Sequence, residues 1–354
     1  MNDMTDMRPQ YAKDALSRAP GYVKGQTPER LDDISFDDEL EQMYGRRWGC
    51  PSKIGKVHTV LLSRPSNAEI NTVTCEDPVY FLYNGKHGVP GFGFPEGPED
   101  FPDLELMREQ HDAYAKVLRD NGVEVMYADL PDRLAGIYLP YRGAGYPPPL
   151  MIRNGCVIGR SALAWKRGQE AIWVKKMAEL GLPILYTITG CGIWEGRVDW
   201  LDPNHCLLGV GHRGNMDGFR QIEWVLKESG VKEVIPVQLP SIFKTHLDVC
   251  FTMVAEKLAL CYTPIFPYDT LKYIEGKGVR IIDIPKEEMR CIPANAFPLE
   301  PGKVVIPKGS PKTVRMLNEA GVTALEVDLS ESVKLGAGPD CMTLALIRDE
   351  GPYL

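Results

Sequence analysis

Asn121-Gly122-Val123-Glu124-Val125-Met126-Tyr127 ends one helix-like stretch and begins a β-type run with nothing between them but a glycine. The same handover recurs at Leu180-Gly181-Leu182, Ser229-Gly230-Val231, Lys277-Gly278-Val279 and Ala320-Gly321-Val322, at steps of 59, 49, 48 and 43 residues. Steps of that size mark an internal structural repeat. Glycine is the residue that closes a helix in a left-handed conformation without steric cost, so each unit contains a stopped helix. The short β-branched runs that follow, such as Val279 to Asp283 and Val322 to Val327, read as buried strands. Ahead of the later helices lie paired runs, Val198 to Leu201 with Cys206 to Val210 and Val249 to Val254 with Leu258 to Tyr262. Each unit therefore reads hairpin, helix, strand.

Five such units fit either an open doubly wound sheet or a closed ring of blades. Three strands per helix, and the absence of a G-x-G-x-x-G opening a helix, favour the ring. Closure also removes sheet edges. The expected fold class is α/β, a five-bladed ββαβ propeller with a pseudo-fivefold repeat. A polar lead-in over 1–55, with a short helix ending near Trp48, precedes a repeat domain over 56–354.

A hydrophobic share of 44% and a charged share of 25% are those of a folded globular chain. The net charge of −8 argues against nucleic acid and acidic membranes as partners. The first residues lack the basic start and apolar core of a signal peptide, and Phe251 to Phe266 is interrupted by Glu256 and Lys257, so a soluble cytoplasmic protein is expected. Nine cysteines without C-x-x-C spacing read as reduced thiols, and the six histidines show no metal-ligand pair, so no cofactor or metal is called for. Gly- and Pro-rich stretches, Asn84 to Asp100 and Leu134 to Pro149, have the composition of long loops that cover sites. Nothing in the sequence fixes oligomeric state, and a homo-oligomer is compatible with it.

Lining up the starts of successive hairpins yields Arg153-Asn154, Glu195-Gly196-Arg197-Val198-Asp199, His246-Leu247-Asp248, and Gly336 to Cys341. Around an axis, these polar groups converge from positions remote in sequence. His246 and Asp248, two apart on an expected strand, share a face. Cys341 follows a glycine-rich turn; Cys50, Cys75, Cys156, Cys191, Cys206, Cys250, Cys261 and Cys291 read instead as small buried hydrophobes. A thiol, a histidine and carboxylates together are the parts of nucleophilic catalysis. Anions around a thiol raise its pKa unless a cation is bound among them, and a planar guanidinium is such a cation.

These residues resemble the motifs of the pentein or amidinotransferase superfamily, which includes arginine deiminases, dimethylarginine dimethylaminohydrolases, succinylarginine dihydrolases and amidinotransferases. The resemblance runs from about Lys56 to Asp349 and implies a five-bladed ring. It further implies Cys341 as nucleophile, His246 as proton shuttle and Glu195 as partner of the histidine and the substrate nitrogens. Asp248 and Asn154 would bind those nitrogens. In His212-Arg213-Gly214-Asn215, Arg213 would clamp a substrate carboxylate beside Asn215, with Arg160 as a second clamp. Three departures are visible: asparagine at 154 where the family has aspartate, an inserted residue before Asp199, and Asp340 ahead of the cysteine. An amide at 154 binds a guanidinium less strongly than an acid but can donate to the carbonyl of a ureido group, and Asp340 disfavours a free thiolate, so the substrate cation would assist ionisation. The expected activity is cysteine-dependent hydrolysis of C–N bonds in a small guanidino or ureido compound, arginine or an arginine-like one, through a covalent thio-intermediate. The alternatives are amidino transfer from arginine to an amine, and a non-enzymatic ribosome-binding role known for the same ring fold.

Overall fold

The structure, a computed structural model, describes residues 34–65, 102–128, 149–162, 167–241, 246–334 and 336–354, and the backbone of 133–134 and 137–138. Residues 1–33, the stretch Asn84 to Asp100 and nearly all of Leu134 to Pro149 lie outside the described residues. The handover glycines behave as a set: their φ angles run from 71° at Gly181 to 91° at Gly230. A side chain at these positions would be strained, which is why the same residue type recurs.

Among the described residues the first element is α1 (Phe36–Tyr44), capped by Ser35 and stopped at Gly45. The first unit follows as β1 (Val57–Leu62), α2 (Leu104–Asp120) and β2 (Glu124–Tyr127). After a small ribbon, β3 (Arg133–Leu134) and β4 (Ile137–Tyr138), the second unit is β5 (Pro149–Ile152), β6 (Gly155–Ile158), α3 (Gln169–Leu180) and β7 (Ile184–Thr187). The third is β8 (Asp199–Asp202), β9 (His205–Val210), α4 (Met216–Glu228) and β10 (Glu233–Gln238). The fourth is β11 (Phe251–Ala255), β12 (Leu258–Cys261), α5 (Tyr268–Gly276) and β13 (Arg280–Asp283). The fifth is β14 (Phe297–Glu300), β15 (Lys303–Pro307), α6 (Pro311–Glu319) and β16 (Thr323–Val327), before a short α7 (Ser330–Lys334) and β17 (Thr343–Arg348).

Among the described residues the strands form five three-stranded mixed sheets besides the ribbon. In units two to five the first two strands pair antiparallel and the strand after the helix joins in parallel. Among the described residues the first unit has no hairpin of its own. Its missing strand is β17, from the other end of the chain, which pairs antiparallel with β1 while β2 lies parallel on the other side. Neighbouring sheets touch through β17 and β5, β8 and β11, β11 and β14, and β1 and β14. A backbone bridge from Arg160, just after β6, to Trp194 ties the second unit to the third.

In every sheet the third strand is the most exposed of the three; β11 and β12 are buried almost throughout, whereas β13 is mostly open. Most inner strands therefore read as near-continuous apolar runs, with β8 an exception that carries Asp199 and Asp202 at its ends. The lead-in is not wholly separate from this body. Trp48 is buried, and Gly49 bridges by backbone to both Ile347 and Arg153, so the segment entering β1 crosses β17 and β5.

Two expectations need correcting. Cys191 is exposed, and Cys50 and Cys291 are half-buried, rather than core residues; Cys191 sits in the tight turn Thr189-Gly190-Cys191-Gly192, whose backbone is held at the surface. Cys75 lies outside the described residues. The hairpin of unit two begins at Pro149, so Arg153-Asn154 is the turn between β5 and β6 and not its start, with Asn154 at φ 67°. Asparagine is one of the few side chains that accept that left-handed turn position. Among the described residues no helix is long and apolar enough to cross a membrane.

Candidate active site

Cys341 lies at the end of the turn from Gly336, two residues ahead of β17, and is buried. That turn is fastened to Asn295, which ends a single 3-10 turn (Pro293–Asn295) two residues ahead of β14. Asn295 Oδ1 accepts from the Gly338 and Cys341 backbone N–H groups at 3.1 and 3.0 Å, and its backbone carbonyl accepts from Asp340 N at 3.1 Å. A Cβ on Gly338 would stand 2.8 Å from Asn295 Oδ1. The glycine in this turn thus admits a close approach by a side chain of the protein itself.

Asn295 Nδ2 donates to Cys341 Sγ at 3.2 Å and to Asp248 Oδ2 at 3.0 Å, and the thiol is 3.7 Å from the same carboxylate oxygen. Asp248 is not on a strand: Leu247–Val249 form a 3-10 turn with His246 at its N-cap position, so the expected strand starts only at Phe251. The polar pair instead occupies the irregular entry to β11, where both side chains are still buried. Burial, and then the charge of Asp248, push the Cys341 thiol well above its ordinary pKa, against an opposing pull from Arg197 and the Asn295 N–H. Burial and the Asp248 charge both favour the thiol over the thiolate.

A second cluster forms around Glu195. His246 Nε2 is 3.9 Å from Glu195 Oε2, and Arg213 Nη1 donates to the same oxygen at 3.2 Å. Glu195 Oε1 accepts from Ser161 Oγ and from Ala162 N. Arg160 and Asn215 hold the backbone that carries this glutamate. Arg160 Nη1 donates to the Gly190 and Gly192 carbonyls at 3.0 and 3.2 Å, and its own backbone exchanges two bonds with Trp194. Asn215 caps α4 by accepting from Gly218 N at 2.9 Å, while the same oxygen accepts from Ile193 N at 2.9 Å. Asn154 stands apart, at the tip of the β5–β6 turn.

Behind the cysteine, buried charges are paired. Asp340 meets Lys53 Nζ at 2.7 Å and Arg197 Nε at 3.6 Å, and Arg197 Nη2 also donates to the Asp340 and Thr343 carbonyls, each at 2.6 Å. Burial alone would raise the Asp340 pKa, but the two cations outweigh it and hold the carboxyl below its ordinary value. Asp199, the first residue of β8, is driven the other way, by burial and then by Asp248. A cavity of about 40 Å³ beside Lys53, Arg197, Asp340 and Arg348 has room for little more than a water molecule. It does not reach Cys341, His246 or Glu195.

Of the residues expected at the site, the structure brings Cys341 against Asp248, and His246 and Arg213 against Glu195. The sequence reading missed Asn295, Ser161, Lys53 and Arg197. A signal for Asn295 existed, since it precedes β14 by the same two residues by which Cys341 precedes β17.

No family model matches the chain. It is 25% identical over 308 residues to the uncharacterized protein YkgA of Bacillus subtilis, covering 85% of this chain and 96% of that one. It is 24% identical to the 2-nitroimidazole nitrohydrolase of a Mycobacterium species, over 89% of this chain and 86% of that one. It is also 24% identical to the dimethylarginine dimethylaminohydrolase of Pseudomonas aeruginosa, over 69% and 89%. Among solved structures, that dimethylaminohydrolase with citrulline superposes at a TM-score of 0.62 with 21% identity, covering 82% of this chain and 99% of that one. SxtG, an amidinotransferase from Microseira wollei, reaches 0.68 with 13% identity, over 87% and 100%. The N-terminal domain of ArgZ, a cyanobacterial arginine dihydrolase, reaches 0.63 with 18% identity, over 84% and 100%. The fold is common to all three.

Proposed function

We propose that this chain, a member of the pentein superfamily, is a cysteine-dependent hydrolase that opens C–N bonds of a guanidino or ureido group, with an arginine-like compound as substrate. The observation that carries the reading is a buried thiol beside a buried carboxylate, Cys341 with Asp248, whose chain neighbour His246 faces Glu195. With it we read the five sheets, which share one strand order and touch in sequence, as five blades around the site. The catalytic unit is 56–354, with 48–55 packed on it, and its unpaired thiols suit the reducing cytoplasm.

Asp248 and Glu195 receive the N–H groups of the planar cation, whose charge offsets what keeps the thiol protonated. Sulfur gives its proton to His246 as it attacks the central carbon, and His246 passes that proton to the departing amine. Water, deprotonated by His246, then adds to the same carbon and releases the thiolate. Arg213, already on Glu195, can extend to a substrate carboxylate. Arg160 and Asn215 serve by fixing the Glu195 segment.

Amidino transfer is the second reading, supported by the TM-score to SxtG; it replaces water by an amine in the last step. A heteroaromatic carbon between two nitrogens, the kind named in the nitrohydrolase relative, offers the same sulfur an equivalent centre with nitrite as leaving group. Intact mass spectrometry after brief exposure to arginine, methylated arginines, citrulline and 2-nitroimidazole tests all three. An adduct on Cys341 with one of them, absent in Cys341→Ala, is expected. Unmodified protein and no ammonia, amine or nitrite release across the panel would overturn the reading.

A further inference from the structure

Asn295 is fully buried, and its carboxamide faces the nucleophile with both of its ends. Oδ1 takes the N–H groups of Gly338 and Cys341, which fixes the amide's orientation: the nitrogen must be the end that points at sulfur and at Asp248. An amide nitrogen can only donate. Nδ2 therefore offers hydrogen to Cys341 Sγ whether sulfur is a thiol or a thiolate, and a bond to the charged form is the stronger of the two. Asp248 Oδ2 competes for the same group while sulfur is neutral.

Resting on the reading of Cys341 as nucleophile, we infer that Asn295 is a catalytic residue of this site, whose Nδ2–H groups stabilise the Cys341 thiolate and divide themselves between sulfur and Asp248. When the thiol ionises beside a bound cation, Asp248 turns its charge toward the substrate and the amide hydrogen concentrates on sulfur. When the thiolate is re-formed at the end of hydrolysis, the same donor receives it. The oxygen end does a separate task, holding the turn so that Sγ cannot swing away. Four of these bonds come from one side chain, so the turn and the charge are governed together.

The test is the pH dependence of Cys341 alkylation by iodoacetamide in the full chain, read by peptide mass spectrometry, with Cys206 and Cys261 as buried reference thiols. Asn295→Ala removes the donor without adding charge. Its midpoint for Cys341 should rise by about one unit, and alkylation at pH 7 should slow about tenfold. Asn295→Asp keeps acceptors for the two backbone N–H groups but replaces the donor by oxygen, and its shift should be larger. Asn295→Ser, which retains one hydroxyl donor, should shift less than either, and it serves if the other two do not fold. An unchanged midpoint, or faster labelling from a loosened turn with the midpoint unmoved, would overturn the role of Asn295 while leaving Cys341 the reactive thiol. Wild-type Cys341 labelling no faster than Cys206 and Cys261 would remove the nucleophile reading itself, and this inference with it.

Discussion

Sulfur and the Asp248 carboxylate both meet one buried amide, Asn295, whereas the Glu195 carboxylate that faces His246 is held by donors from several other segments. On the sulfur side, Asn295 and the Lys53–Asp340–Arg197 cluster are all deep in the protein. On the histidine side, Ser161 and Ala162 reach Glu195 from the end of β6, and Arg213 reaches it from the segment before α4. The first arrangement keeps sulfur in place at the cost of burying charge. The second sets a buried histidine against a buried carboxylate that Ser161, Ala162 and Arg213 also hold. Substitutions on the two sides should therefore fail in different ways: stability and the covalent step on one, turnover on the other.

The sharpest separation comes from the two reactive groups themselves. Cys341→Ala should lower turnover by about 10⁴-fold or more and abolish the mass adduct. His246→Ala should lower turnover by about 10³-fold, yet an adduct should persist or accumulate with a substrate whose leaving group needs no proton. Equal loss of the adduct in both variants would mean that the halves do not divide the chemistry in this way.

Lys53→Met tests the buried charge behind sulfur. It leaves the Asp340 carboxylate with Arg197 alone, and should cost about 3 kcal/mol in urea unfolding at neutral pH. Because the Asp340 pKa is held low in the folded chain, the pair's contribution is present above the ordinary aspartate range and is lost as pH falls from there through the lower folded value. The deficit of the variant should thus shrink below about pH 4. Adding Asp340→Asn to Lys53→Met should restore much of the loss at pH 7, since the stranded charge is gone.

The strand order of each unit was legible because glycine punctuation and unbroken apolar runs are both local signals. The first sheet was half legible: β17 and β1 are joined only in space, and no local pattern records that Thr343 to Arg348 completes the unit begun at Val57. At the site, Cys341, Asp248, Glu195 and His246 stood out through chemistry and order. His246 and Asp248 were nonetheless assigned to a strand, because a single 3-10 turn leaves no periodicity to read. Asn295 has neither charge nor nucleophile to draw attention, and only the register of hairpin starts singles it out. Lys53 and Arg197 carried no expectation, since nothing in sequence reveals that their partner Asp340 is buried.

Glu195→Gln probes the histidine side. The amide keeps the shape but loses the charge that faces His246 and Arg213, and a fall of about 10²-fold in kcat is expected. Its melting temperature should change much less than that of Lys53→Met. A loss of stability matching Lys53→Met would erase the contrast between the two sides.

The smallest effects distinguish what touches Glu195 from what merely holds its segment. Ser161→Ala removes one donor from Oε1, where the Ala162 N–H remains, so kcat should fall by about tenfold with KM nearly unchanged. Asn215→Ala takes away the cap of α4 and the acceptor for Ile193 N without touching the glutamate. It should cost about 1 kcal/mol of stability, as lost caps do. Its kcat should change less than that of Ser161→Ala, because the Arg160 and Trp194 backbones still pin the segment on the other side. A strong rise in KM for an amino-acid substrate in Asn215→Ala alone would instead put that side chain in contact with the substrate, and the histidine side would extend one residue further than the geometry around Glu195 implies.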